Sequence, residues 1–151
     1  ILALNVFREV SKPQNLLKWL SKKLSVEGKL LIIEPGDKES NTRLLNLKNL
    51  YFELQTVFPC PHNRACPLIG TKDWCHNIVE LQRGKYLREL DKKVNLNHHR
   101  VKLSCLVFAK AKNTRDKVIV GFKGNHTLVC GEEGLVQLPF KLKENLWDQK
   151  A

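Results

Sequence analysis

The chain of 151 residues has no methionine, only two tyrosines and no run of eighteen apolar residues. The last absence excludes a membrane-spanning helix. Acidic side chains are scarce, with 15 Asp and Glu against 26 Lys and Arg, which leaves a net charge of +11 and a pI near 9.6. That balance predisposes the protein to bind RNA, DNA or another polyanion, with affinity that falls as salt rises. No C-x2-C pair is present, and no ferredoxin-type run. Five cysteines cannot all pair, and nothing else marks a small secreted protein, so a disulfide framework is not expected. The first residues are apolar but soon carry Arg8 and Glu9 and run into a helix pattern, unlike a signal peptide. Opening on Ile1 within a strand-like stretch, and without methionine, the sequence is expected to be a piece of a longer polypeptide. Its hydrophobic fraction of 42% suits one globular domain with a real core.

Against these absences stands one concentration. Cys60, Cys66 and Cys75 fall within sixteen residues, each beside a proline, a tryptophan or a histidine. The prolines at 59, 61 and 67 keep this stretch out of helix and reduce the entropy lost on wrapping a metal. Thiolates are soft ligands for zinc or iron, and the C-x5-C-x8-C spacing predicts a three-point clasp completed by a distant fourth ligand. Cys105 and Cys130 are the candidates. Cys105 lies in the run Arg100–Phe108, which reads as a buried strand where a cysteine behaves as a small hydrophobe; Cys130 closes Thr127-Leu128-Val129 just before Gly131, at a turn. Cys130 is therefore the expected fourth ligand. His62 and His76 are expected as neighbours of the ligands rather than as ligands.

In chain order, Ile1–Asn5 reads as an interior parallel strand whose polar end, Asn5, is a candidate small-molecule contact at the carboxyl edge of an α/β sheet. Ser11 and Pro13 start a helix carrying Leu16, Leu17, Leu20 and Leu24, and Gly28 stops it. Lys29–Ile33 is a buried strand ending at Glu34-Pro35-Gly36, which completes a βαβ unit. Ser40, Asn41 or Thr42 caps a second helix through Leu44, Leu45, Leu47, Leu50, Tyr51, Phe52 and Leu54. After Cys75-His76 a further helix is expected through Ile78, Val79, Leu81, Leu87 and Leu90. Its basic residues Arg83, Lys85, Arg88, Lys92 and Lys93, together with Arg64 and Arg100, are the candidate RNA contacts. The pair His98-His99 points to opposite faces of a strand and is not expected to share one ion. From Lys117 onward short strands at 117–122, 126–130 and 134–140 predict a small β appendage, followed by a basic tail containing Trp147. There is no internal repeat.

Pro59-Cys60-Pro61-His62, Cys66-Pro67-Leu68 and Asp73-Trp74-Cys75-His76 closely resemble the signature of the methyltransferase-like family tied to the small ribosomal subunit of bacteria and mitochondria. Upstream, Asn5–Val10 and Gly28–Gly36 are similar to the last parallel strands and intervening helix of that family's Rossmann-like domain. The resemblance implies an α/β fold: the C-terminal half of a Rossmann-like methyltransferase domain over 1–56, a cysteine-rich metal loop and basic helix over 57–94, and closing strands with the β appendage over 95–151. It further implies a small-subunit assembly factor that binds ribosomal RNA, in the bacterial cytoplasm or the mitochondrial matrix. It implies a [4Fe–4S] iron-sulfur cluster on Cys60, Cys66, Cys75 and Cys130. The family's glycine-rich S-adenosylmethionine loop would precede Ile1, so that cofactor is expected only with the preceding half. Two positions depart from the pattern: Asn77 replaces an aromatic residue, and Asn97-His98-His99 replaces an acidic run.

Two alternatives stand beside the assembly factor: an active rRNA methyltransferase using S-adenosylmethionine, and a zinc-stapled nucleic-acid-binding module. No arrangement of residues resembles a catalytic base or nucleophile.

Overall fold

A computed structural model describes the chain except for residues 51–52, 61, 97–99, 112–116, 124–125, 132 and 140–151. For residues 117–123 it gives the strand but not side-chain burial. The expectations for Tyr51, Phe52, Pro61, His98, His99 and Trp147 fall outside the described residues.

The architecture is mixed α/β. The expected βαβ start is present as β1 (Leu2–Leu4), α1 (Pro13–Lys23) and β2 (Lys29–Pro35), with β1 parallel to β2. Pro13 occupies the first turn of α1, where its missing N–H costs nothing. Lys12, not Ser11, is the N-cap residue, and it makes no side-chain cap bond. β1 is not interior among the described strands: it ends the sheet, leaving Leu2 and Leu4 59% and 50% exposed. Its apolar composition alone could not tell an edge from an interior position.

In β2 every second residue, Leu30, Ile32 and Glu34, is buried on one face. Opposite them in the antiparallel β5 (Arg100–Ala109) stand Phe108, Leu106 and Ser104. With Leu17 and Leu20 of α1 and with Leu44, Leu45 and Leu47 of α2 (Lys38–Leu50), these apolar residues form the core. Each fully buried Leu, Ile or Phe contributes about 1.5–3 kcal/mol.

The cap of α2 is Asp37, not Ser40, Asn41 or Thr42. Its carboxylate accepts the Ser40 N–H at 2.9 Å and the Ser40 hydroxyl at 2.8 Å, and the Ser40 bonds hold the Asp37 carboxyl below the usual carboxylate range. Burial takes Ser40 and Asn41 into the first turn instead. Leu54 lies beyond the end of α2, yet it is fully buried.

The placement of the cysteine loop follows from β5. One edge of β5 pairs with β2; β3 (Gln55–Phe58) and β4 (Asn77–Glu80) lie one after the other along its other edge, with Phe58 opposite Val107 and Asn77 opposite Leu103. Residues 59–76 therefore leave the sheet and return to it at two nearby points on one strand. The helix expected from Ile78 onward is shorter than its apolar spacing suggested. Asn77–Glu80 is a strand, and the helix α3 covers only Lys85–Lys93. The free ladder positions at Arg100–Leu103 take up Asn77–Glu80 and override the helical pattern.

A second, antiparallel sheet of β6 (Lys117–Lys123), β7 (His126–Gly131) and β8 (Gly134–Leu138) supplies the three expected short strands. No helix among the described residues is long and apolar enough to cross a membrane.

Candidate functional site

The excursion 59–76 is fastened at several points. Asn63 accepts the Thr56 N–H at 2.7 Å and donates to Gln55, folding the first arm back on β3. In the second arm, Trp74 donates its indole N–H to the Gly36 carbonyl at 2.8 Å, and Asn41 of α2 donates to the Cys75 carbonyl. Gly36 itself bonds Lys102 of β5 through its N–H at 3.0 Å, and a Cβ there would collide with the Lys102 backbone. The end of β2, the start of β5 and the second cysteine arm thus meet at one glycine.

Between this excursion and the second sheet lies a cavity of about 330 Å³, counted to its open mouth. Its walls are Pro59, Cys60, Cys66, Pro67, Leu68, Cys75, Cys130 and Leu135. All four cysteines singled out as ligands therefore border one space, and Cys130 of β7 comes to it from the far sheet. Cys105 does not; it sits half-buried on β5 opposite Ile33. Among the described residues, no three His, Cys, Asp or Glu side chains form a group closed around the position of a single metal ion.

The thiols sit in poor solvent. Burial, followed by the neighbouring thiols, pushes Cys75 up to about 12 and Cys130 up to about 11; Cys60 is also raised, chiefly by burial. His62 is buried with its Nε2 3.4 Å from the Cys130 sulfur, while His76 stacks near Trp74 and holds its Nδ1 3.2 Å from the Trp74 carbonyl. One residue escaped the sequence reading. Lys48 of α2 is 2% exposed, and its positive charge favours the ionised forms of Cys60, Cys75 and Cys130. Its spacing of four from Leu44, on the apolar stripe of the helix, was the available signal.

The basic candidates divide into two groups. Lys85, Arg88, Lys92 and Lys93 are exposed on α3, beside Tyr86 at 74% exposure. Arg83 instead forms an ion pair with Asp91, with both side chains largely buried, and so braces the loop onto the helix. Arg100 pairs with Glu80 across β4 and β5 at 3.0 Å, and Arg64 is exposed in the cysteine excursion.

Asn5 follows β1 at the carboxyl edge, exposed and at a φ of 51°, with its N–H bonded to the Ile33 carbonyl. The next two N–H groups, of Val6 and Phe7, are accepted at 3.0 and 2.9 Å by the buried Glu34 carboxylate. A smaller cavity nearby is lined by Phe7, Arg8, Glu34, Ser40, Arg43 and Leu44.

Comparison with curated proteins finds no match. The family model described as mitochondrial small ribosomal subunit Rsm22 matches residues 4–136, and the chain belongs to that family.

Proposed function

We propose that this chain is part of an RNA-binding factor of small-ribosomal-subunit assembly, working with the mitochondrial small subunit named in its family's description. In this reading its first sheet is the later half of a Rossmann-like methyltransferase fold, and Cys60, Cys66, Cys75 and Cys130 hold a structural iron-sulfur cluster. The observation that carries the metal site is the shared cavity: four thiols, one of them 55 positions along the chain from the nearest of the others, line one apolar space.

The donor set fits a thiolate-bound metal. Four soft sulfurs suit zinc or iron-sulfur, and the raised thiol pKa values mean that a metal would displace protons as it binds. A single zinc draws four sulfurs to about 2.3 Å from one point. A [4Fe–4S] cluster takes one cysteine per iron around a wider core. The resemblance of the cysteine signature to that of the family favours the cluster. When bound, the metal ties β7 to the excursion between β3 and β4. The exposed cations of α3 then form a rigidly mounted phosphate-binding face, with Tyr86 available for stacking.

The test is anaerobic purification with iron, sulfide and zinc quantitation. Brown protein with visible thiolate-to-iron absorption is the expected result. Colourless protein with one zinc would replace the cluster by the zinc-stapled module, and metal-free protein would end the metal reading. RNA binding is tested with a small-subunit rRNA transcript across a salt series. Calorimetry of the intact protein with S-adenosylmethionine tests the enzyme alternative.

A further inference from the structure

We propose that Lys48 is the counter-charge of the cysteine site: a buried cation built into α2 to balance the negative charge that a thiolate-bound metal brings to the cavity. The inference rests on the metal reading above and concerns a residue that is no ligand.

Lys48 is the largest fully buried side chain among the described residues. Its Nζ is shielded from solvent, and the polar group it acts on at hydrogen-bonding range is the Cys60 thiol. An ammonium so placed has lost its hydration, which opposes folding. A methionine or leucine at this place on the apolar stripe would avoid that cost, so folding alone does not account for the charge. What surrounds it does. Cys60 belongs to the same core cluster as Leu44, Leu45 and Leu47 of α2, and Lys48 acts electrostatically on Cys60, Cys75 and Cys130 together. Among the described residues no other Lys or Arg acts on these three thiols.

Charge counting gives the reason. Four thiolates on one zinc(II) carry a net charge of about −2, and on an oxidised [4Fe–4S] core the same net charge results. Sinking such a centre into an apolar cavity without compensation is opposed by desolvation. One fixed ammonium behind the Cys60 thiol halves the uncompensated charge and needs no rearrangement at the moment of binding. The buried lysine beside the Cys60 thiol is then a site prepared for an anionic centre.

The test compares the intact wild-type protein with Lys48→Met and with Lys22→Met, an exposed control on α1. Each is reconstituted with zinc(II) against a chelating competitor and, separately, with ferrous iron plus sulfide under anaerobic conditions; urea unfolding of the metal-free forms is measured in parallel. Lys48→Met is expected to lose roughly ten- to a hundredfold in metal affinity, the range typical of groups that support a ligand from behind. Its metal-free form is expected to unfold at the wild-type urea concentration or above, and Lys22→Met to match wild type throughout. Equal metal affinity in wild type and Lys48→Met overturns the inference alone. A metal-free Lys48→Met that is less stable than wild type, or unfolded, also overturns it, because Lys48 would then serve the core. Wild-type protein that takes up neither zinc nor iron overturns the metal reading and this inference with it.

Discussion

The indole N–H of Trp74 reaches across 38 residues of chain to the carbonyl of Gly36, 2.8 Å away. This bond ties the second arm of the cysteine excursion to the end of β2, while the Lys102 ammonium covers the Trp74 ring at 5.8 Å. Trp74→Phe keeps most of the ring and removes the donor, leaving a carbonyl short of one partner. It is expected to cost about 1–2 kcal/mol in urea unfolding of the metal-free protein. Gly36→Ala is expected to cost more, about 2–3 kcal/mol, because its Cβ must displace the Lys102 backbone rather than a flexible side chain.

Cys130→Ala and Cys105→Ala separate the cavity from the sheet. The first removes a thiol that faces Cys60, Cys66 and Cys75, and metal content is expected to fall by more than half. The second removes a half-buried sulfur on β5 and is expected to leave metal content unchanged, at a cost of about 1 kcal/mol in stability. Metal quantitation on the two purified variants checks both, and equal losses would displace Cys130 from the ligand set.

The pH dependence has a definite sign. In the metal-free protein, burial raises Cys75 to about 12 and Cys130 to about 11 from an ordinary value of 9.0. The folded state therefore prefers the neutral thiols, and that preference is fully present below pH 9. It is lost as pH climbs from 9 through 11 to 12, so metal-free stability is expected to fall across that window. Metal affinity is expected to move the other way and rise with pH, because binding displaces thiol protons. Urea titrations at pH 8 and 10, with chelator competition at pH 6.5 and 8, check the two signs.

Glu34 holds the backbone turn after β1. Glu34→Ala strands the N–H groups of Val6 and Phe7, the latter buried, and is expected to cost about 2–4 kcal/mol. Glu34→Gln retains an oxygen acceptor and is expected to cost less than half as much in the same unfolding assay.

Lys92→Ala combined with Lys93→Ala removes two exposed cations from the last turn of α3. Affinity for a small-subunit rRNA transcript is expected to drop several-fold at 0.1 M salt. The slope of log affinity against log salt is expected to flatten by about one to two. Thermal stability should move by less than about 0.5 kcal/mol, since both side chains are exposed.

Much of this was legible in the sequence because it is local. The apolar run at 29–33, Pro13 at the start of α1 and the glycine-punctuated strands from Lys117 announce themselves within a few residues. The clustering of Cys60, Cys66 and Cys75 is visible in the same way, and the fold sets all three beside one cavity. What remained hidden depends on partners far along the chain. Ile78 and Val79 have helical spacing, yet they pair with Lys102 and Val101. Asp37 outcompetes Ser40 as a cap because Ser40 is drawn inward. Arg83 looks like one more cation of a basic face until Asp91 is seen to hold it. Lys48 is hidden for the opposite reason, since a lysine in a helix suggests solvent until the stripe it shares with Leu44 is buried.

The place of β5 has a consequence for biosynthesis. During translation, β2 waits for its antiparallel neighbour until residues 103–109 have emerged, and β3 and β4 have no strand to dock on before then. Cys60, Cys66 and Cys75 thus leave the ribosome well ahead of the scaffold that presents them, and Cys130 follows later still. Assembly of the four-cysteine cavity is consequently a late event, because its wall on the second sheet comes only with Cys130 and Leu135.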